Sequence, residues 1–366
     1  MSVQSFEDEI SSIREICNSE QFKERLEKVK ILSLGKPLIL YGAGTIGYSV
    51  ARLLKHNHIE VSCFCDRNKN GINEESGLPI ISPYQIPVQY PDANIIVCSV
   101  NYKDEITNDL IKLGISLDRI FYRDELYIYE VMWEDLLQHL DGYRRAFNLL
   151  EDIKSQQILL ERIRCYVTSI PITVSPPESQ YFDSEIITLN TKEIFVDAGM
   201  YIGDTAEAFF QITDNQYKHY YGFEPDENNF LSANLALQGK ANLTLVKKGL
   251  WSSETHFLFD SGLTSSSKLD ADTGNDYVEV TSLDTFFRDK EAPTFIKMDI
   301  EGAELEALKG AEQIIRNFKP KLAICAYHKP EDLYTLPELI KSFRDDYVFY
   351  LRHYTDTLYE TVLYAF

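Results

Sequence analysis

The sequence predicts two parallel α/β units joined by helices, over 366 residues. Three observations carry that reading. Apolar runs end in glycine turns at two distant places, LILYGAGTIGY (38–48) and FVDAGMYIGD (195–204). After each turn, apolar runs of strand length alternate with helix-periodic stretches, the pattern of a doubly wound, Rossmann-like sheet. Between the two units, an apolar seam at helical spacing occupies 124–166.

The elements follow in order. Residues 1–36 are charged and helix-periodic, with Phe6, Ile10, Ile13 and Ile16 on one face. The first Rossmann-like domain spans 37–123. Its strands are LILY, EVSCFC, ANIIVCSV and DRIFY, and GLPIISPYQIP reads as loop. A helical linker covers 124–170, where Leu136, Leu140, Tyr143, Phe147 and Leu150 step by four and three. That stripe suits a bridging helix pair or a homodimer contact through the 124–166 helices. Prolines 171, 176 and 177 break the chain before the second domain, 171–366. Its strands are EIFVDAG, YYGFEP, LTLVKKGLW, TFIKMDI, KLAICAY, YVFYLRHY and TVLYAF, the last two placed as an antiparallel end pair.

Composition narrows the partners. Thirty-six basic against 57 acidic residues give a net charge of −21, which disfavours nucleic acid and anionic membrane. The six cysteines lack a CxxC pair and mostly sit in apolar runs, so buried thiols in a reducing compartment are expected. The N-terminus has no apolar h-region and no stretch approaches a membrane span. The expected location is the cytoplasm.

The downstream loop carries the chemistry. Glycines 199 and 203 allow a sharp turn and close approach of a ligand. Asp197 and Asp204 flank it. A pyrophosphate there would face two carboxylates, whereas a ligand bearing an ammonium and a sulfonium would be favoured. S-adenosylmethionine is such a ligand. Glu224 follows Asp197 by 27 residues, one βαβ unit later, and can accept both ribose hydroxyls. Met200, Asp204 and Pro225 complete the candidate donor contacts.

A third stretch, TFIKMDIEGAELEALKGAEQII, brings Asp299 and Glu301 to the carboxyl end of a strand. The next strand delivers His328 to the same edge, where open α/β sheets bind ligands. His328 is the base by chemistry and Asp299 by position. Asp299 and Glu301 could instead hold Mg²⁺. Glu301 is equally well read as a helix cap, Glu304 as solvated, and His353 as structural. Thr264, Ser265, Ser266 and Ser267 could line an acceptor pocket or form a loop.

FVDAGMYIGDT, YGFEPD, IKMDIEGAELEALKGA and FYLRHYTDTLYETVLYAF together resemble the FkbM family of S-adenosylmethionine-dependent methyltransferases. The likeness covers about 180–366. It implies a seven-stranded class I methyltransferase fold and O-methylation of a sugar or another hydroxyl-bearing small molecule. By match, Asp197, Gly199, Gly203 and Glu224 are the donor-binding positions. Met200-Tyr201 is bulkier than the Ala-Asn often found in that loop.

The upstream loop carries Gly42, Gly44 and Gly47 and no acid, so its N–H groups suit an anion. Asp66 lies 24 residues after Gly42, where a ribose-binding acid would fall. The loop could hold a nucleotide, NAD or a nucleotide sugar, or belong to a degenerate Rossmann domain kept for packing or substrate presentation. The alternative function is then an NAD-dependent or nucleotide-sugar-binding protein acting through this domain.

Overall fold

The computed structural model describes residues 5–73, 76–99, 102–123, 126, 133–168, 170, 172–259, 269–270, 276–355 and 358–366. The chain clusters into two units. One comprises 2–138 and 162–171, the other 139–161 and 172–366 together with residue 1. The expected linker is thus divided: 139–161 packs with the C-terminal unit.

In the N-terminal unit two helices, Phe6–Asn18 and Glu20–Ser33, precede a six-stranded sheet. Its strands are β1 (Leu38–Tyr41), β2 (Cys63–Cys65), β3 (Gly71–Ile72), β4 (Pro79–Ile81), β5 (Asn94–Val97) and β6 (Ile120–Tyr122). They lie in the order β3-β4-β2-β1-β5-β6, parallel except for β3 against β4. Alternate residues feed opposite faces: Leu38, Leu40, Phe64 and Ile96 pack on one, Ile39, Tyr41, Cys63 and Cys65 on the other. A sheet buried on both sides explains why these strands read as unbroken apolar runs. The GLPIISPYQIP stretch is not a loop. Pro79–Ile81 pairs with β2, and Ile86–Gln89 forms a short helix. Pro79 sits first in its strand, where a missing N–H is tolerated.

The C-terminal unit holds a seven-stranded sheet of β7 (Ile194–Ala198), β8 (His219–Phe223), β9 (Leu243–Val246), β14 (Phe295–Met298), β15 (Lys321–Cys325), β16 (Phe349–His353) and β17 (Thr361–Ala365). The order is β16-β17-β15-β14-β7-β8-β9, with β17 antiparallel to both neighbours. This is the expected class I methyltransferase arrangement. An aromatic cluster of Phe182, Phe195, Phe209, Phe210, Tyr220 and Phe295 fills one face, with Phe195 and Phe295 stacked at 4.8 Å across neighbouring strands.

LTLVKKGLW does not stay one strand. It breaks after Val246, and β10 (Gly249–Leu250) joins β11 (Thr255–Phe259), β12 (Leu269–Asp270) and β13 (Asp276–Thr281) in a separate four-stranded sheet. Thr264–Ser267 lie outside the described residues. The 136–150 seam is not a free face. Tyr143, Phe147 and Leu150 are buried within this chain, and the Tyr143 hydroxyl donates to the Pro330 carbonyl at 3.0 Å. No helix among the described residues is long and apolar enough to cross a membrane.

Candidate active site

The turn after β7 runs through Gly199–Gly203 into the helix Asp204–Ile212. Gly199 has φ +73°, and a Cβ there would stand 1.8 Å from the Asp299 carbonyl oxygen, so glycine is required. Tyr201 also adopts the left-handed region, φ 51°. The loop is laced to the end of β8. The N–H groups of Gly199 and Met200 donate to the Phe223 carbonyl at 3.0 and 3.1 Å. The Tyr201 N–H donates to Glu224 Oε2 at 3.1 Å, and the Asp226 N–H to Oε1 at 3.0 Å.

Glu224 is 7% exposed. Burial pushes its carboxyl up to about 7, and its backbone donors offset only part of that. Each oxygen has two lone pairs and spends one on the backbone N–H just named, so a pair of ligand hydroxyls fits this carboxylate. A donor with a ribose diol is compatible with the loop.

Two expected donor contacts are corrected. Asp197 is 0% exposed and faces into the sheet. Register places it opposite Lys297 on β14, and Lys297 Nζ lies 2.9 Å from Oδ1 while the Tyr220 hydroxyl donates to Oδ2 at 2.8 Å. Its charge is spent inside the protein, so it cannot supply the field expected for a sulfonium. Met200 is also fully buried, its sulfur against Gly222, where a Cβ would meet it at 2.4 Å. Its side chain fills the core and only its backbone belongs to the loop. Gly203 is the left-handed N-cap of the helix, Asp204 is its exposed first residue and Pro225 is half-buried after β8.

The second cluster stands at the ends of β14 and β15. Asp299 accepts from the Tyr181 hydroxyl at 2.9 Å and the Tyr327 hydroxyl at 3.0 Å. Burial alone would raise its carboxyl, but Lys297, His328 and the two hydroxyls outweigh this and hold it below the ordinary value. His328 Nε2 lies 3.6 Å from both Asp299 Oδ1 and Glu301 Oε2, and Nδ1 lies 3.1 Å from Glu304 Oε1. Burial lowers His328, yet Glu304, Asp299 and Glu301 together raise it to about 9. With no cation in place of the proton, a ring boxed in by three carboxylates keeps that proton at neutral pH, so the neutral base expected of His328 is not what this environment favours.

Glu301 is not a helix cap. It has φ +56°, and the helix Glu304–Lys309 is preceded by Ala303, which makes no side-chain cap. A non-glycine residue held left-handed stores strain of the kind found at functional turns. Its side chain is 43% exposed. Burial first, then Asp299, Glu304 and Glu360, raise it to about 7, with water screening part of this crowding. Glu304 is not solvated: it is 1% exposed, and its Oε1 accepts from the Ile300 N–H at 2.8 Å. His353 is structural as read, buried and 2.7 Å from Thr361 Oγ1.

Sequence reading missed Lys297, Tyr181, Tyr327 and Glu360. Lys297 lies between the two clusters, donating to the Gly199 carbonyl at 2.7 Å while paired to Asp197. Burial would lower it, but Asp197 and Asp299 hold it firmly protonated. The two-residue spacing of KMD was its only sequence signal, since alternate strand residues share a face.

In the N-terminal unit, Asp66 ties the glycine loop to the end of β2. Its Oδ2 accepts from the Ala43 N–H at 2.9 Å, and Oδ1 accepts from the Asn68 and Lys69 N–H groups at 2.9 and 3.2 Å. Gly47 is explained by packing, since a Cβ would meet the Gly42 oxygen at 1.9 Å. At Gly44 a Cβ would meet nothing within 4 Å.

Residues 35–121 match the family described as C2185-like, N-terminal. No curated protein matches the chain. Among solved structures, a methyltransferase FkbM from Methylobacillus flagellatus KT is 23% identical with a TM-score of 0.65, covering 99% of both chains. An rRNA methylase from Streptococcus thermophilus is 19% identical with a TM-score of 0.35, covering 53% of this chain and 96% of its own. A putative methyltransferase from Streptococcus mutans in complex with SAH is 15% identical with a TM-score of 0.33, covering 53% and 98%. Residues 197–350 match the methyltransferase FkbM domain, so the chain carries such a domain in its C-terminal region.

Proposed function

We propose that the C-terminal unit transfers a methyl group from S-adenosylmethionine to a hydroxyl of a sugar or another hydroxyl-bearing small molecule. Glu224 carries the reading. A buried carboxylate tied to the glycine loop, with lone pairs to spare, is built for vicinal hydroxyls. The bound donor supplies a methyl carbon activated by its sulfonium. The chain supplies alignment: Lys297 fixes the Gly199 carbonyl, and Glu224 fixes Tyr201. The acceptor hydroxyl must lose a proton. Both Asp299 oxygens already accept tyrosine hydroxyls and His328 is enclosed, so Glu301, the most exposed of the three, is assigned as acceptor of that proton. Asp299, Glu301 and Glu360 make an acidic edge that suits a neutral polyol and disfavours an anionic one.

A nucleotide or nucleotide sugar at the N-terminal loop is a second reading, favoured by the open space at Gly44. Titration calorimetry with S-adenosylhomocysteine tests the first. Micromolar binding by the wild type, weakened at least about tenfold in Glu224→Ala, is expected, each tenfold being about 1.4 kcal/mol. NAD and a nucleotide sugar are titrated alongside. If NAD binds and S-adenosylhomocysteine does not, the upstream loop carries the function and the proposal falls.

A further inference from the structure

We propose that Asp299, Glu304 and His328 form a divalent-cation site beside the reaction edge. One oxygen from each acid and one ring nitrogen lie within 4.8 Å of one another. They come from three separate places: the end of β14, the first residue of the helix Glu304–Lys309, and the segment after β15. The two inner members are enclosed. Glu304 is 1% exposed and its Oε2 has no hydrogen-bond partner. The His328 side chain is 10% exposed, and its ring nitrogens face the carboxylates of Asp299, Glu301 and Glu304. Buried polar atoms are ordinarily paired, so a free Glu304 Oε2 beside a histidine enclosed by carboxylates calls for a ligand.

The spacing says which kind. His328 Nδ1 and Glu304 Oε1 stand 3.1 Å apart. Two ligands at right angles around a metal, each about 2.1 Å from it, are about 3.0 Å apart. The surroundings favour added positive charge: Glu301 and the buried carboxylate of Asp332 crowd the same cluster. Lys297 is already engaged by Asp197 and the Gly199 carbonyl, and Lys329 Nζ donates to the Gly302 carbonyl at 2.6 Å. One imidazole with two carboxylates suits a borderline cation such as Mn²⁺, Fe²⁺ or Zn²⁺ over the all-oxygen preference of Mg²⁺. The site therefore differs from the Asp299–Glu301 Mg²⁺ pair in one acid and in the metal it selects.

The full-length protein, stripped with chelator, is titrated with Mn²⁺ and followed by calorimetry and electron paramagnetic resonance. One Mn²⁺ per chain is expected, with nitrogen coupling from an imidazole. Glu304→Gln and His328→Gln should each weaken binding at least about tenfold. Glu306→Gln, a surface acid on the same helix, should not. Absence of one-to-one binding, binding without nitrogen coupling, binding untouched by both variants, or a response to Mg²⁺ alone each overturns the proposal. The wild-type spectrum decides even where a variant misfolds. S-adenosylhomocysteine is titrated in the same samples. Mn²⁺ binding without it would sink the donor reading and leave the metal site standing; the reverse would sink only the metal site.

Discussion

Glu224 and Lys297 show how single residues set the site, and both make predictions. Glu224 sits near 7 because burial disfavours its charge. Accepting two hydroxyls requires the ionised form. Affinity for S-adenosylhomocysteine should therefore fall about tenfold between roughly pH 8 and pH 6, and calorimetry in Glu224→Gln should give a flat profile. The stability sign runs the same way from a raised pKa. The folded protein holds a proton the unfolded chain has lost, so burial of Glu224 costs progressively more as pH rises from 4.5 to about 7. Lys297 is a different case, a cation fully inside the protein against Asp197. Lys297→Met leaves that carboxylate buried and unpaired, which should cost about 3–5 kcal/mol. In Lys297→Met/Asp197→Asn most of the loss should return. Thermal melts that show equal losses in the single and double variants would remove the ion pair from the account. Glu224 was legible because its spacing from Asp197 is one βαβ unit. The inward turn of Asp197 was not legible, because the residue that takes its charge lies 100 positions away and meets it only through strand register.

At the scale of elements, strands and glycine turns were legible because they follow local rules, a buried run ended by residues that permit a turn. Two elements escaped. The strand Pro79–Ile81 is short and begins with proline, which reads as loop until a neighbour supplies its ladder. The four-stranded sheet at 249–281 depends on pairings such as β11 with β13, which are 17 residues or more apart and have no glycine hairpin signature. The turn after β7 yields the prediction of this scale. Gly199→Ala adds a strained left-handed residue and a methyl group 1.8 Å from the Asp299 carbonyl, so the strand ends of β7 and β14 must separate. Donor binding should be lost, and the protein destabilised by several kcal/mol, on the order of the larger core substitutions. Gly239→Ala is the matched control, left-handed too (φ +85°) but in open space, and should cost only about 1 kcal/mol, leaving S-adenosylhomocysteine affinity intact. Equal effects at both positions would mean that backbone strain alone, and not the approach of β14, governs the loop.

The whole chain divides where sequence did not divide it. The stretch expected to link two domains contributes 139–161 to the C-terminal unit, where it packs apolar side chains and meets a buried cation. Arg352, inside β16, is nearly fully enclosed and reaches back to this stretch: Nη2 donates to Asp152 Oδ2 at 2.6 Å and Nη1 to Ser155 Oγ at 2.9 Å. The same Ser155 oxygen accepts from the Leu351 N–H at 2.9 Å. Burial raises Asp152, but Arg352 and Ser155 more than offset it and hold it below the ordinary carboxylate value. Its contribution to stability is therefore present above pH 3.8 and fades as pH falls through the lowered value. A chain cut to 172–366 keeps every strand of the seven-stranded sheet but leaves Arg352 only Asp183, 3.6 Å from Nε, as a charged partner, and uncovers what Tyr143, Phe147 and Leu150 had buried. Such a fragment should aggregate or melt far below the full protein, while one beginning at 139 should keep the ties of Arg352. Asp152→Ala in the full chain isolates the charge from the lost packing. It should cost about 1–3 kcal/mol, with the loss shrinking as pH falls below about 4. A 172–366 fragment as stable as the full protein, by chemical denaturation, would return 139–161 to the role of linker.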